Sequence, residues 1–222
     1  MNKTVIAIIG ICGFFIALYF TARFTNVLGM YYISSYTNAP TLKIGQVITV
    51  SRLKQPDTNT FVGVKTKSGK GIFIYRCVAK GNDLVEIRDG ILYLNGKKRI
   101  EPYTWNQYFI TRKQMTGIRR YLDANHFPIY DINDSLSAVT MSAADLNKCH
   151  LDLKPWILEK SYVDSGMYPQ FVNLKYNRDN FGPIRVPQNS YFVLGDNRHD
   201  AYDSRYLGFI PDDRMVFTVI YP

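Results

Sequence analysis

The 222-residue chain is poor in the residues that build metal centres and disulfide frameworks, with three cysteines and three histidines. Cys12, Cys77 and Cys149 match neither a zinc spacing nor a disulfide scaffold, and an odd count leaves at least one thiol unpaired. They read as free thiols, with a Cys77–Cys149 bridge left open, and no metal or cofactor is implied. Acidic side chains are scarce too: 18 against 27 basic ones, a formal charge of +9. That excess suits an anionic partner. No run of five or more basic residues, helix-turn-helix pattern or zinc-finger spacing accompanies it, which argues against nucleic acid. Anionic headgroups at a membrane are the better match for the charge. Internal repeats and low-complexity tracts are absent as well.

One long apolar run is present. From Val5 to Phe20 every residue is apolar or glycine, and Thr21 and Ala22 extend the run to about the minimum that crosses a hydrocarbon core. It is long for the core of a cleaved signal peptide, and no small-x-small site follows promptly. Without a polar face at helical period it is not the pattern of a buried core helix. The reading is an uncleaved membrane anchor over residues 1–24. Lys3 favours a cytoplasmic N-terminus and Arg23 opposes it.

The rest of the chain alternates like β structure. Gln46–Ser51 and Thr60–Lys65 read as strands. Ser68-Gly69 turns the chain into Gly71–Val78, and Asp89-Gly90 joins Leu84–Arg88 to Ile91–Leu94 as a two-residue hairpin turn. Val27–Ser35 reads as a connector whose Tyr31 and Tyr32 suit a headgroup interface. After Glu101 the character changes. Thr111–Asn125 has helical spacing, and Ser142-Ala-Ala-Asp145 is a capping-box-like start to a helix towards His150. Tyr162–Phe181 looks loop-like. Ile184–Pro187, Tyr191–Leu194 and Met215–Tyr221 return to strand. The expected fold is mainly β, with a core at 25–100 and 184–222 interrupted by a mixed α+β insertion at 101–183.

Three boxes carry a family resemblance. The first is Thr37-Asn38-Ala39-Pro40-Thr41-Leu42 with Gly45. The second is Tyr75-Arg76, followed by Gly81 and Asp83. The third is Gly195-Asp196-Asn197-Arg198, followed by Asp203-Ser204-Arg205. Together with the anchor they resemble the bacterial type I signal peptidases, membrane-anchored peptidases that pair a serine nucleophile with a lysine base and cut signal peptides from exported proteins. The resemblance implies an antiparallel β catalytic core, an inserted cap, a single pass through the cytoplasmic membrane and an extracytoplasmic main domain. It also implies signal peptides and membrane lipid as partners, with an active signal peptidase as a further one. Thr37 falls at the nucleophile position and Tyr75 at the base position. Ser35 falls where some members place an oxyanion-hole hydroxyl. Ala201 falls where a hydroxyl often orients the lysine. Asp196, Asn197, Arg198, Asp203 and Arg205 fall among the residues that brace the site, with an ion pair expected between Asp203 and Arg205.

The chemistry at these positions departs from the family. A lysine base works when burial lowers its pKa towards neutrality, whereas burial raises that of a phenol. Tyr75 is thus expected to be a hydrogen-bond donor rather than a base, filling the lysine's volume and within reach of Thr37. Lys70 and Lys80 lie five residues away, which alternation turns to the other face unless a bulge intervenes. His199 beside Asp200 could complete a threonine–histidine–aspartate arrangement. His126 and His150 read as surface residues. The leading expectation is a signal-peptidase-like protein with little or no peptidase activity that still takes up extended peptide. The alternatives are an active peptidase using Thr37 with an unrecognised base, and a structural envelope domain.

Overall fold

The structure, a computed structural model, describes residues 2–24 and 27–221. Met1, Pro222 and the expected junction of anchor and connector at Thr25-Asn26 lie outside the described residues, as does the side chain of Arg23.

Helix α1 (Lys3–Phe24) carries the apolar run and none of its spanning window is buried. Its 22 residues rise about 33 Å, enough for a bilayer core of about 30 Å. The chain then enters β1 (Leu28–Tyr32), so the expected aromatic connector is largely a strand. Its alternation is broken by Gly29, which hid it in the sequence. Tyr31 packs on Phe217 with ring centroids 4.4 Å apart and is half-buried, while Tyr32 stays exposed.

Strands β2 (Val47–Ser51), β3 (Phe61–Lys65) and β4 (Ile72–Lys80) follow, then β5 (Leu84–Arg88) and β6 (Ile91–Leu94). Asp89 and Gly90 join the last two with φ of 49° and 78°, the left-handed pair that a tight hairpin demands. A second such pair, Asn95-Gly96, leads into β7 (Lys97–Lys98). The inserted segment holds β8 (Asn106–Thr111), α2 (Arg112–Ala124), β9 (Ile129–Asp131), β10 (Leu136–Met141), α3 (Ala143–Lys148) and α4 (Pro169–Asn173). Thr111 and Gln114 cap α2 reciprocally, and Ser142 caps α3. α4 lies within the stretch expected to be loop. β11 (Phe181–Arg185), β12 (Ser190–Leu194), α5 (Ser204–Leu207), β13 (Ile210–Pro211) and β14 (Met215–Tyr221) complete the chain.

The fold is mainly β, as expected. Seven strands form one antiparallel sheet in the order β1-β2-β14-β3-β4-β12-β13. A four-stranded sheet, β11-β5-β6-β7, and a three-stranded one, β8-β10-β9, flank it. Three apolar clusters fix their positions. Phe171, Phe181 and Phe192 join α4 to β11 and β12, each burial stabilising by roughly 2–3 kcal/mol. Leu42, Ile48, Val50 and Phe217 lie beneath Tyr31. Trp105, Tyr108, Ile110, Leu122 and Val139 make the core of the insertion, and Ala39 packs into it. The insertion thereby holds the segment around Thr37 from one side. Cys12, Cys77 and Cys149 are all free thiols, which closes the question of a bridge.

Candidate active site

Thr37 sits in a tight excursion between β1 and β2. Ala39 N–H donates to Tyr36 and Leu42 N–H to Asn38, while Leu42 is fully buried as the anchor of the turn. Two contacts tie this turn to the sheet. Asn38 Nδ2 donates to the Ile74 carbonyl at 2.7 Å, and Asn197 N–H donates to the Thr37 carbonyl at 3.0 Å. Thr37 is thus held between β4 and the loop that follows β12. Its Oγ1 accepts one hydrogen bond among the described residues, from Ser35 Oγ at 3.2 Å.

Tyr75 lies on β4 opposite Val62 and is buried. Its hydroxyl does not go to Thr37, contrary to expectation. It donates to the Tyr202 carbonyl at 2.7 Å. Burial, and then the charge of Asp203, push its pKa far above the ordinary phenol value. A neutral phenol committed to a carbonyl accepts no proton from a neighbour.

The other basic groups are also occupied or distant. β4 does contain an extra residue at Val78, where Ala79 faces Phe192 but Cys77 already faces Val193. Lys80 nonetheless ends on Asp57 at 3.0 Å, half exposed. Lys70 is exposed in the β3–β4 turn. His199 is half-buried with both ring nitrogens engaged: Nδ1 accepts from Gln107 N–H at 3.2 Å, so Nε2–H donates to the Trp156 carbonyl at 2.9 Å. Burial, then the Arg178 charge, bring its pKa down to about 4. It is a neutral strut to the insertion, and the threonine–histidine–aspartate arrangement is not formed. His126 and His150 are exposed, and no cluster of His, Cys, Asp or Glu among the described residues could hold a metal.

Ala201 and Thr37 flank Gly195. A Cβ built on Gly195 would meet Ala201 Cβ at 2.4 Å, the Thr37 carbonyl at 2.6 Å and Thr37 Cγ2 at 3.0 Å. Only a glycine backbone fits there. Around it runs a buried ionic frame. Asp203 accepts from Gly195 N–H at 3.0 Å and forms a two-point pair with Arg205, both contacts at 2.9 Å. Asp196 forms a second two-point pair with Arg76, at 2.7 and 2.6 Å, and accepts from Thr41 Oγ1. Arg198 reaches Glu101 at 2.6 Å and the Gly195 carbonyl at 3.1 Å. Asn197 is fully buried, and its side-chain amide has no partner among the described residues. The sequence marks Thr41 only as part of the first box and Glu101 only as the point where the insertion begins; it gives neither a role at the site. Asp196 is expected as a brace but its pairing with Arg76 is not; a buried strand arginine requires a carboxylate partner, and that signal could have led to the pair.

The geometry therefore offers a hydroxyl in a braced, glycine-lined turn, with no amine or imidazole touching it among the described residues. Comparison with known proteins gives this arrangement a context. The family model described as signal peptidase, peptidase S26, matches residues 3–221. Signal peptidase I T of Bacillus subtilis (strain 168) is 25% identical over 193 residues, covering 85% of this chain and 69% of its own. Signal peptidase I of Aquifex aeolicus (strain VF5) is 27% identical over 204 residues, 86% and 75% respectively. Signal peptidase IB of Staphylococcus aureus (strain COL) is 26% identical over 232 residues, 99% and 89%. A match running from the apolar helix to the last strand leaves no part of the fold to another lineage, and the chain belongs to the signal peptidase, peptidase S26, family.

Proposed function

We propose that this is a membrane-anchored signal-peptidase-like protein that receives signal-peptide segments of exported proteins but cuts them weakly or not at all. The observation that carries the reading is the pairing at the site. Among the described residues Thr37 Oγ1 is hydrogen-bonded by a serine hydroxyl alone, and the phenol at the base position is bound to the Tyr202 carbonyl. Hydrolysis needs an acceptor for the nucleophile's proton. Ser35, Thr37 and Tyr75 are all neutral donors or weak acceptors at pH 7. Ala201 supplies no hydroxyl to replace one. Asp196, Asn197, Arg198, Asp203 and Arg205 act in this reading as the frame that keeps the turn open to an extended peptide, which would add to the sheet as a strand.

The same reading divides the chain into an anchor at 1–24, a core at 25–100 and 184–222, and a cap at 101–183. The self-contained β8-β10-β9 sheet supports the cap as a unit. The main domain lies on the extracytoplasmic face of the inner membrane, where signal peptides emerge, and an active signal peptidase is the partner whose work it would modulate.

Restoration tests the proposal. The combined Thr37→Ser, Tyr75→Lys and Ala201→Ser variant should fold and gain cleavage of a preprotein, while the unaltered chain photo-crosslinks a signal peptide at the Thr37 turn. A folded triple variant without activity would place the site elsewhere. Failure to crosslink any signal peptide would favour the structural envelope domain.

A further inference from the structure

One end of the seven-stranded sheet carries a cation-rich cleft next to the membrane helix. The register brings the ends of five strands together there. Leu28 of β1 faces Ser51, the last residue of β2; Thr218 of β14 also faces Ser51; Met215 faces Val64 near the end of β3; and Lys65 faces Ile72, the start of β4. Arg52 N–H donates to the Val27 carbonyl at 3.0 Å. Helix α1 ends at Phe24, three residues before Val27, a reach of about 10 Å at most. This sheet end therefore lies at the level where the chain leaves the hydrocarbon.

The cleft has a volume of about 740 Å³. Tyr31, Ile72 and Val216 give it an apolar floor, and Arg52, Lys65 and Lys70 give it three cationic walls, with Asp213 as the single acid among the lining residues. No carboxylate among the described residues lies within ion-pairing distance of those three cations. Arg214 is spent differently: its Nε and a terminal nitrogen donate to the Lys65 carbonyl at 3.0 and 2.7 Å, which locks the β3 end beside β14. Leu53, 73% exposed, projects next to Arg52. Three uncompensated cations around one concavity repel each other unless an anion joins them.

We infer that this cleft seats the phosphate headgroup of an anionic phospholipid and so sets the pose of the β domain against the bilayer. The three cations take the phosphate, and the apolar floor takes the glycerol and the first acyl carbons. Adjacency to the membrane helix and that floor select a lipid over a free phosphate ion. The inference goes beyond the proposed function and holds whether or not Thr37 cuts peptide.

Native mass spectrometry of the full chain in detergent micelles tests it, with phosphatidylglycerol or phosphatidylcholine titrated in. Near a membrane surface each cation is worth about fivefold, so the three together predict a preference for phosphatidylglycerol of roughly a hundredfold. Arg52→Gln, Lys65→Gln and Lys70→Gln combined should abolish it, and Lys70→Gln alone should lower it about fivefold. Lys97→Gln, Lys98→Gln and Arg99→Gln, on and beside β7 of the other sheet, should leave it intact. Equal retention of the two lipids would overturn the inference. So would an equal loss in the β7 variant, which would mean bulk charge alone, or full displacement by millimolar inorganic phosphate, which would mean a free-anion site.

Discussion

Tyr75→Phe removes one oxygen and distinguishes a bracing phenol from a reacting one. The hydroxyl is buried and donates to the Tyr202 carbonyl over 2.7 Å. A net hydrogen bond of this neutral type contributes about 1 kcal/mol, and a stranded buried acceptor costs about 1–3 kcal/mol. Tyr202 is 58% exposed, so water partly replaces the donor at its carbonyl and the cost falls to about 1–2 kcal/mol. For a domain of this size that corresponds to a Tm lower by roughly 2–8 °C. The assay is thermal unfolding of the full chain in detergent, beside Tyr130→Phe on a half-exposed edge as the control. Signal-peptide crosslinking at the Thr37 turn should persist. An unchanged Tm would mean that the phenol does not hold the Tyr202 loop. Lost crosslinking in a variant of normal stability would mean that the hydroxyl meets the peptide and is no mere brace.

Three further outcomes follow from the same frame. His199 has a folded pKa depressed to about 4 against 6.5, so the neutral form is the one the fold favours. Its contribution is present above pH 6.5 and is lost as pH falls towards 4; about 2 kcal/mol should disappear between pH 7.5 and pH 5. Unfolding curves of His199→Gln should be flatter over that interval than those of the unaltered chain, and parallel curves would contradict the burial of a neutral ring. Arg205→Met leaves Asp203 charged and unpaired in the core and should cost about 3–5 kcal/mol, whereas adding Asp203→Asn should return part of it; strictly additive losses in denaturant melts would show the two are uncoupled. Gly195→Ala forces a methyl against Ala201 and the Thr37 carbonyl and should cost at least about 1–3 kcal/mol. Ala201→Gly in the same chain should recover only part of that, because the carbonyl remains, and full recovery would relocate the clash.

The hairpins of the core were legible because their turns are local chemistry: Asp89-Gly90 can be recognised without knowing what the strands pack against. The helix cap at Ser142 was legible for the same reason, whereas the stretch from Thr111 showed only its helical spacing and not its cap. β8 and β10 were not. Leu136–Met141 buries Ser137 and Thr140 as well as Val139, so no polar–apolar alternation marks it as a strand. Of its two partner strands, β8 is 25 or more residues away and β9 is only 3 residues long. At the site, the positions of Thr37, Tyr75 and Ala201 came through resemblance, and the structure brings Thr37 and Ala201 around Gly195. What eluded the sequence was where hydroxyls and rings point. The Tyr75 hydroxyl meets a backbone atom 127 residues on, and His199 is held by Gln107 and Trp156 of the insertion. Backbone acceptors carry no residue signature, so no pattern in the chain announces them.

Incubation of the detergent-solubilised full chain with a purified preprotein at neutral to mildly alkaline pH is the most direct measurement. With no amine, imidazole or carboxylate hydrogen-bonded to Thr37 Oγ1 among the described residues, signal-peptide release should stay at the rate of a Thr37→Ala chain assayed alongside. Cleavage at one defined bond, lost on Thr37→Ala, would show that a base does serve the threonine and would contradict the proposed loss of activity.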